Sequence, residues 1–218
     1  VHYLIIENAL PAQLMADIRQ AIAQGPFSDG KITANGMARE AKHNLQLDQQ
    51  VHGALLERIT RALQEQPALQ AFAIPRHVGR PLINRYEPGM TYGLHVDGAF
   101  MGELRADISW TLFLEDPVGY EGGELVINHQ SQNFSFKLAA GSLLLYPNDC
   151  LHEVRPVTQG VRHAAAGWIQ SRIRSAEHRE ILGKLSAVPQ HLSQDAQYQA
   201  LALQTTECVQ RLMRMWGD

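Results

Sequence analysis

A mainly β core of barrel or double-sheet jelly-roll type, flanked by helices and followed by a helical tail, is the fold that three features of this 218-residue chain predict. Between Leu69 and Ser171, short runs rich in Val, Ile, Leu, Tyr and Phe recur, separated by Gly, Pro, Asn and Asp turn signals. Ahead of that stretch, two segments repeat their apolar residues at helical spacing, and behind it the composition becomes helix-like again. The expected division is residues 1–68 as an N-terminal strand with supporting helices, 69–172 as the β-core and 173–218 as a C-terminal helical extension.

Taken from the N-terminus, Tyr3–Glu7 reads as a strand and Pro11–Gln24 as a helix. Pro11 suits a first helical turn, and Leu14, Ile18 and Ile22 make a stripe to be buried. Gly25, Pro26 and Gly30 stop that helix, and Asp29–Leu47 reads as a loop with short strands, its Lys42 and Asn44 either exposed loop residues, the favoured reading, or within reach of the mouth of a functional site. A second helix is expected from Asp48, as N-cap, to Gln66, with Val51, Leu55, Ile59 and Leu63 on its apolar face and Pro67 ending it. Both helices would brace the outside of a sheet.

Strands follow near Leu69–Ile74, Pro81–Glu87, Tyr92–Asp97, Asp107–Leu114, Glu124–Ile127, Asn133–Leu138, Ser142–Tyr146, Leu151–Val157 and Arg162–Ser171. Gly122, Gly123 and Gly141 supply tight bends between them. Beyond Ser171, two helix-like segments include one with Ser193 as N-cap and Tyr198, Leu201, Thr205, Cys208, Leu212 and Met215 at helical spacing. An amphipathic tail must cover something, either its own core or a second copy in a homodimer.

Net charge is −3 and no basic block occurs, which argues against nucleic acid and anionic membranes as partners. No run of about 18 apolar residues is present. The opening VHYLIIENALPAQL lacks the basic start and cleavage site of a signal peptide. Two cysteines, Cys150 and Cys208, make no disulfide framework, so a reducing cytoplasm is expected.

The chemistry concentrates in Arg85–Asp97, RYEPGMTYGLHVD, and Leu143–Arg162, LLLYPNDCLHEVRPVTQGVR. His95 and Asp97 are two residues apart in a strand-like run, so both would project from one face of the sheet. His152 is a third donor, and two histidines with one carboxylate on one face of an octahedron leave three positions free, the arrangement of non-haem Fe(II) oxygenases. The other His-x-acid triplet, His178-Arg179-Glu180, lies in a helical pattern, where residues two apart point about 200° apart and cannot chelate. Arg162 stands ten residues beyond His152, in a run expected to pair with the His152 strand, and its planar fork suits a carboxylate. Glu153 and His163 should point away from the site, and Cys150 reads as a small buried residue.

The succession NRYEPGMTYGLHVDG, EGGELVI and GSLLLYPNDCLHEVRPVTQGVRHAAAGWIQS resembles the Fe(II)- and 2-oxoglutarate-dependent dioxygenases of the prolyl/lysyl-hydroxylase type, and more closely the bacterial PKHD-type hydroxylases. The resemblance spans nearly the whole chain, including KHNLQL at Lys42–Leu47. It implies a double-stranded β-helix, with His95, Asp97 and His152 as iron ligands and catalytic centre. Arg162 would hold the distal carboxylate of 2-oxoglutarate, with Tyr86 and Tyr92 lining the cosubstrate pocket and Trp168 either a pocket wall or a core residue. It further implies hydroxylation of a small-molecule or peptide substrate with release of succinate and CO2, ascorbate as a candidate reductant, and an iron-uptake setting. A non-catalytic, cupin-like metal-binding or sensor protein is the alternative, and such a protein has no need of Arg162.

Overall fold

In the computed structural model, which describes residues 2–218, two antiparallel sheets share one apolar interior, and helices cover the outer face of the larger sheet. The chain opens with β1 (Leu4–Ile6), α1 (Ala12–Gln24), β2 (Phe27–Asp29), α2 (Gly36–Ala41), β3 (Lys42–His43), β4 (Leu45–Leu47), α3 (Gly53–Gln64) and α4 (Pro67–Ala73). The β-rich stretch holds β5 (Pro75–Val78), β6 (Leu82–Tyr86), β7 (Thr91–His95), β8 (Phe100–Met101), β9 (Leu104–Arg105), β10 (Ile108–Phe113), β11 (Tyr120–Gly122) and β12 (Leu125–His129). It continues through β13 (Gln132–Phe136), β14 (Leu143–Pro147), β15 (Leu151–Val154), β16 (Val157–Gly160) and β17 (Arg162–Ser171). The tail is α5 (Ala176–Ser186), α6 (Val188–Leu192) and α7 (Gln199–Trp216).

The eight-stranded sheet runs β1-β14-β10-β17-β6-β4-β2, with β5 also on β17, and the five-stranded sheet runs β13-β12-β15-β7-β3. Alternation along the strands sorts their side chains between two cores. On β10 and β14, Ile108, Trp110, Leu112, Leu143 and Leu145 meet Leu14 and Ile18 of α1 and Leu56 and Ile59 of α3, whereas Phe113, Leu144 and Tyr146 face the smaller sheet. β14 is covered on both faces, so LLLY reads as an unbroken apolar run, whereas β10, equally buried, carries the polar Ser109 and Thr111 within ISWTLF.

Several expectations are corrected. The expected strand Leu69–Ile74 is α4: Pro67 opens the helix, Leu69 and Ala73 lie buried four residues apart, and Ile74 ends it in a left-handed conformation. A short apolar run carries no periodicity that separates strand from helix. Asp48 does cap, accepting from the Gln50 and Val51 amides, but it caps a turn; the helix begins at Gly53, and Val51 is exposed. Pro11 is the residue before the first helical turn. The segment expected as a loop contains α2, and its Lys42 and Asn44 are buried. Leu151–Val157 divides into β15 and β16, which belong to different sheets. β17 pairs with β10, β6 and β5 and not with β15, so Arg162 approaches from the sheet opposite His152.

The tail folds back on its own chain. Ser175 caps α5 by accepting from the His178 amide, and Leu182 packs with Ile173 and Val209 of α7. The chain end bridges back to Ile173 through Gly217, and Asp218 pairs with Arg105 at 2.6 Å. Ser193 does not cap α7; it ends α6, and α7 starts at Gln199. The inward stripe of α7 is Ala202, Thr205, Val209, Leu212 and Trp216, so most of the expected stripe, including Leu201, Cys208 and Met215, faces outward. No helix among the described residues is long and apolar enough to cross a membrane.

Candidate metal centre

His95 is the last residue of β7 and His152 the second of β15, and the two are direct cross-strand partners, with ring centroids 4.3 Å apart. Asp97 lies two residues beyond the end of β7, and the burial alternation of the strand continues through it, with Leu94 and Val96 exposed and His95 and Asp97 turned inward. One donor atom from each of His95, Asp97 and His152 falls within 4.8 Å of the others. Asp97 Oδ1 is 3.6 Å from His95 Nε2, and Asp97 Oδ2 is 3.8 Å from His152 Nε2.

Both rings are oriented from behind. His95 Nδ1 donates to Gly93 O at 2.8 Å, and His152 Nδ1 donates to Cys150 O at 3.0 Å, because a carbonyl can only accept. Each Nε2 is thereby the bare acceptor nitrogen, aimed at the common point, and His95 Nε2 is buried without a partner. Burial pulls the His152 pKa down, against the opposing Asp97 charge, and so favours the neutral, metal-binding imidazole. For Asp97, burial pushes up, but the two neighbouring imidazoles and the Trp168 donor outweigh it and bring the carboxyl to about 2. The donor set suits a divalent transition metal, and the orphaned Nε2 is the kind of atom a metal satisfies.

The triad opens onto a cavity of about 390 Å³ that also reaches Tyr86, Tyr92, Arg162 and Trp168. Arg162 is 2% exposed, and its Nε and Nη2 have no partner among the described residues. Its guanidinium lies over the rings of Tyr86, at 5.1 Å, and Phe113, at 5.7 Å. A buried guanidinium without a carboxylate is costly unless a ligand supplies one. Tyr92 stacks on the His95 ring at 3.6 Å, with an interplanar angle of 14°. Gly123, at φ +66°, closes the space behind the arginine: a Cβ there would sit 2.9 Å from Arg162 Cδ.

Around the centre, the structure shows contacts of residues whose place the sequence left open (Trp168, Lys42 and Asn44) and of Ser109 and Asn148, which it did not single out. Trp168 Nε1 donates to Asp97 Oδ2 at 2.8 Å, and the Ser109 hydroxyl, 2.9 Å from the same oxygen, is also 2.8 Å from Asn148 Oδ1. Asn148, in the turn before His152, donates to Gly98 O and so ties that turn to the segment after Asp97. Lys42 lines the cavity and is 4% exposed; burial pulls its ammonium down to about 8, with the charges of Asp97 and Asp29 opposing. Asn44 sits behind the cavity wall on Asn84. Phe100 and Met101 lie at the cavity's rim. As expected, Glu153 and His163 take no part: Glu153 lies 3.9 Å from Arg155, and His163 pairs with Glu115 at 2.7 Å. Cys150 contributes only its carbonyl to the site; its thiol lies 4.0 Å from His129 Nδ1.

Comparison with known proteins agrees with this geometry. Residues 81–170, which include all the ligand candidates and Arg162, match the model of the 2OG-Fe(II) oxygenase superfamily. The chain is 39% identical to a PKHD-type hydroxylase of Pseudomonas putida, over 99% of each chain, and 38% identical to one of Maricaulis maris, over 98% of each. Among solved structures, a Pseudomonas putida prolyl-4-hydroxylase superposes with a TM-score of 0.57 at 21% identity, covering 78% of this chain and 92% of that one, which shows a shared fold. The chain therefore belongs to the PKHD-type hydroxylases, oxygenases that depend on Fe(II) and 2-oxoglutarate.

Proposed function

We propose that the protein hydroxylates a small-molecule or peptide substrate, with His95, Asp97 and His152 holding Fe(II) and Arg162 holding the distal carboxylate of 2-oxoglutarate. The observation that carries this reading is one cavity with two opposed demands. At one end, two bare imidazole nitrogens and a carboxylate converge. At the other, a buried guanidinium has two unpartnered nitrogens. A metal answers the first, and a dicarboxylate that chelates the metal at one end answers the second.

Fe(II), when bound, supplies the oxygen chemistry, in which 2-oxoglutarate leaves as succinate and CO2 and a substrate C–H bond is hydroxylated. The protein's part is placement. Gly93 O and Cys150 O fix the imidazole tautomers. Trp168 and Ser109 hold Asp97 Oδ2, which leaves Oδ1 for coordination. Tyr92 keeps the His95 ring plane, and Tyr86 supports the Arg162 guanidinium from below, so both tyrosines wall the cosubstrate space. Apolar neighbours such as Leu125 and Val154 exclude water around the distal carboxylate and strengthen its pairing with Arg162.

Anaerobic titration with Fe(II) and then 2-oxoglutarate tests the proposal through the weak visible charge-transfer band of a chelated α-keto acid. The band should form in the wild-type protein and be lost in His95→Ala and Asp97→Ala. Iron binding without a band in the wild type would show that 2-oxoglutarate does not chelate the metal, and the reading would fail.

A further inference from the structure

The cavity contains a cation that neither the metal nor the cosubstrate requires. Lys42 lies on β3, directly opposite Tyr92 of β7, at the edge of the five-stranded sheet, whereas Arg162 belongs to the other sheet. Among the described residues its ammonium forms no ion pair; its one hydrogen bond is to Thr33 Oγ1 at 3.0 Å, and it sits 5.2 Å from the centre of the Tyr92 ring. Thr33 is itself held, 2.9 Å from Gln46 Oε1 and 3.0 Å from Gly30 O, and Gln46 donates onward to Asn84. The ammonium is thus anchored by a buried polar network.

Charge counting sharpens the point. Lys42, Arg162 and Asp97 are the cavity's charged side chains, apart from the histidines. A divalent metal, a doubly negative cosubstrate, Asp97 and Arg162 sum to zero, which leaves the Lys42 charge uncompensated. A desolvated ammonium calls for a negative partner, and one positive charge is matched by a monoanion such as a carboxylate better than by a doubly charged phosphate. Beside it, Met37, Val96 and Phe100 line the cavity while remaining exposed, and they give its rim an apolar lip.

We propose that Lys42 is the specificity-determining contact for the primary substrate, and that this substrate presents a carboxylate to Lys42 and an apolar body to the rim. This rests on the Fe(II) and 2-oxoglutarate reading above for what fills the rest of the cavity. N-acetyl-leucine, N-acetyl-phenylalanine and N-acetyl-proline serve as probes, each against its primary amide. They are titrated calorimetrically into wild-type, Lys42→Arg and Lys42→Met proteins, both metal-free and loaded anaerobically with Fe(II) and 2-oxoglutarate. A charge-assisted hydrogen bond should make the acids bind about 10- to 100-fold more tightly than the amides in wild-type protein. Lys42→Arg should keep that preference and Lys42→Met should abolish it, with 2-oxoglutarate affinity unchanged in both. The melting temperature of Lys42→Met should not fall, as it would if the lysine were merely structural. Equal binding of acids and amides, no acid binding, a preference that survives Lys42→Met, or a loss of 2-oxoglutarate affinity in Lys42→Met would each overturn the proposal. Failure of 2-oxoglutarate to bind wild-type protein would sink the cosubstrate reading instead, and the metal-free titrations would still decide the role of Lys42.

Discussion

Replacing Arg162 with Met should make the ligand-free protein more stable and the same protein nearly blind to 2-oxoglutarate. Without cosubstrate, the guanidinium is 2% exposed, and among the described residues two of its nitrogens lack acceptors and no carboxylate pairs with it. Its compensation is contact with the faces of Tyr86 and Phe113, about 0.5 to 2 kcal/mol each, which methionine's thioether partly replaces. Against that stands a desolvation cost of several kcal/mol for an unpaired buried ion, so the variant should gain about 1–3 kcal/mol. For a chain of this length each kcal/mol moves the midpoint by about 2–4 °C, which predicts a rise of roughly 2–12 °C. Binding moves the other way. Two charge-assisted hydrogen bonds to a buried carboxylate are lost, at about 1.5–3 kcal/mol each, and 2-oxoglutarate affinity should fall by about two to four orders of magnitude. Thermal melts of Mn(II)-loaded protein with and without saturating 2-oxoglutarate read both effects at once. A lower ligand-free midpoint, or a cosubstrate-induced shift equal to that of the wild type, would refute the claim that this cation is held in readiness for a carboxylate.

Two further substitutions probe the support around the centre. Trp168→Phe keeps the aromatic wall but removes the donor to Asp97 Oδ2, and should weaken metal affinity about 10-fold or more, measured by competition with a chromophoric chelator. Gly123→Ala must hold a left-handed conformation at about 1–2 kcal/mol and push against the Arg162 stem. It should lower the melting temperature and weaken 2-oxoglutarate binding while leaving metal affinity intact, as parallel metal and cosubstrate titrations would show.

The sequence disclosed most where side-chain pattern and backbone agree. β10, β14 and β17 are buried on both faces or alternate cleanly, and their runs stand out. The converging His95, Asp97 and His152 were legible because metal geometry tolerates few residue types at few spacings. What was hidden depends on long-range pairing. The choice for Lys42 between an exposed loop position and the mouth of the site stays open until β3 is set against β7, and Ser109 reads as an ordinary strand residue until the turn at Asn148 is brought beside it. The partner strands of β17 follow from the order of two sheets, which no local pattern encodes. The α7 stripe was misphased because apolar side chains lie on both sides of the helix: Leu201, Leu203 and Met215 are exposed, whereas Ala202, Val209, Leu212 and Trp216 turn inward. Similarly, α4 was lost because seven residues are too few to show a period.

Arg162 and Trp168 are both carried by β17, six residues apart and on the same face, so about 20 Å of one continuous strand separates them. Hydrogen-bonded on both sides, that strand acts as a fixed gauge between Arg162, the proposed anchor for the far carboxylate, and Trp168, the donor to the proposed metal ligand Asp97. A diacid one methylene longer or shorter would have to give up either chelation or its grip on Arg162. The rim residues Met37 and Phe100 of the same cavity are carried by other elements, α2 and β8. Descendants of this chain can therefore exchange what they hydroxylate while remaining bound to the same five-carbon co-reactant.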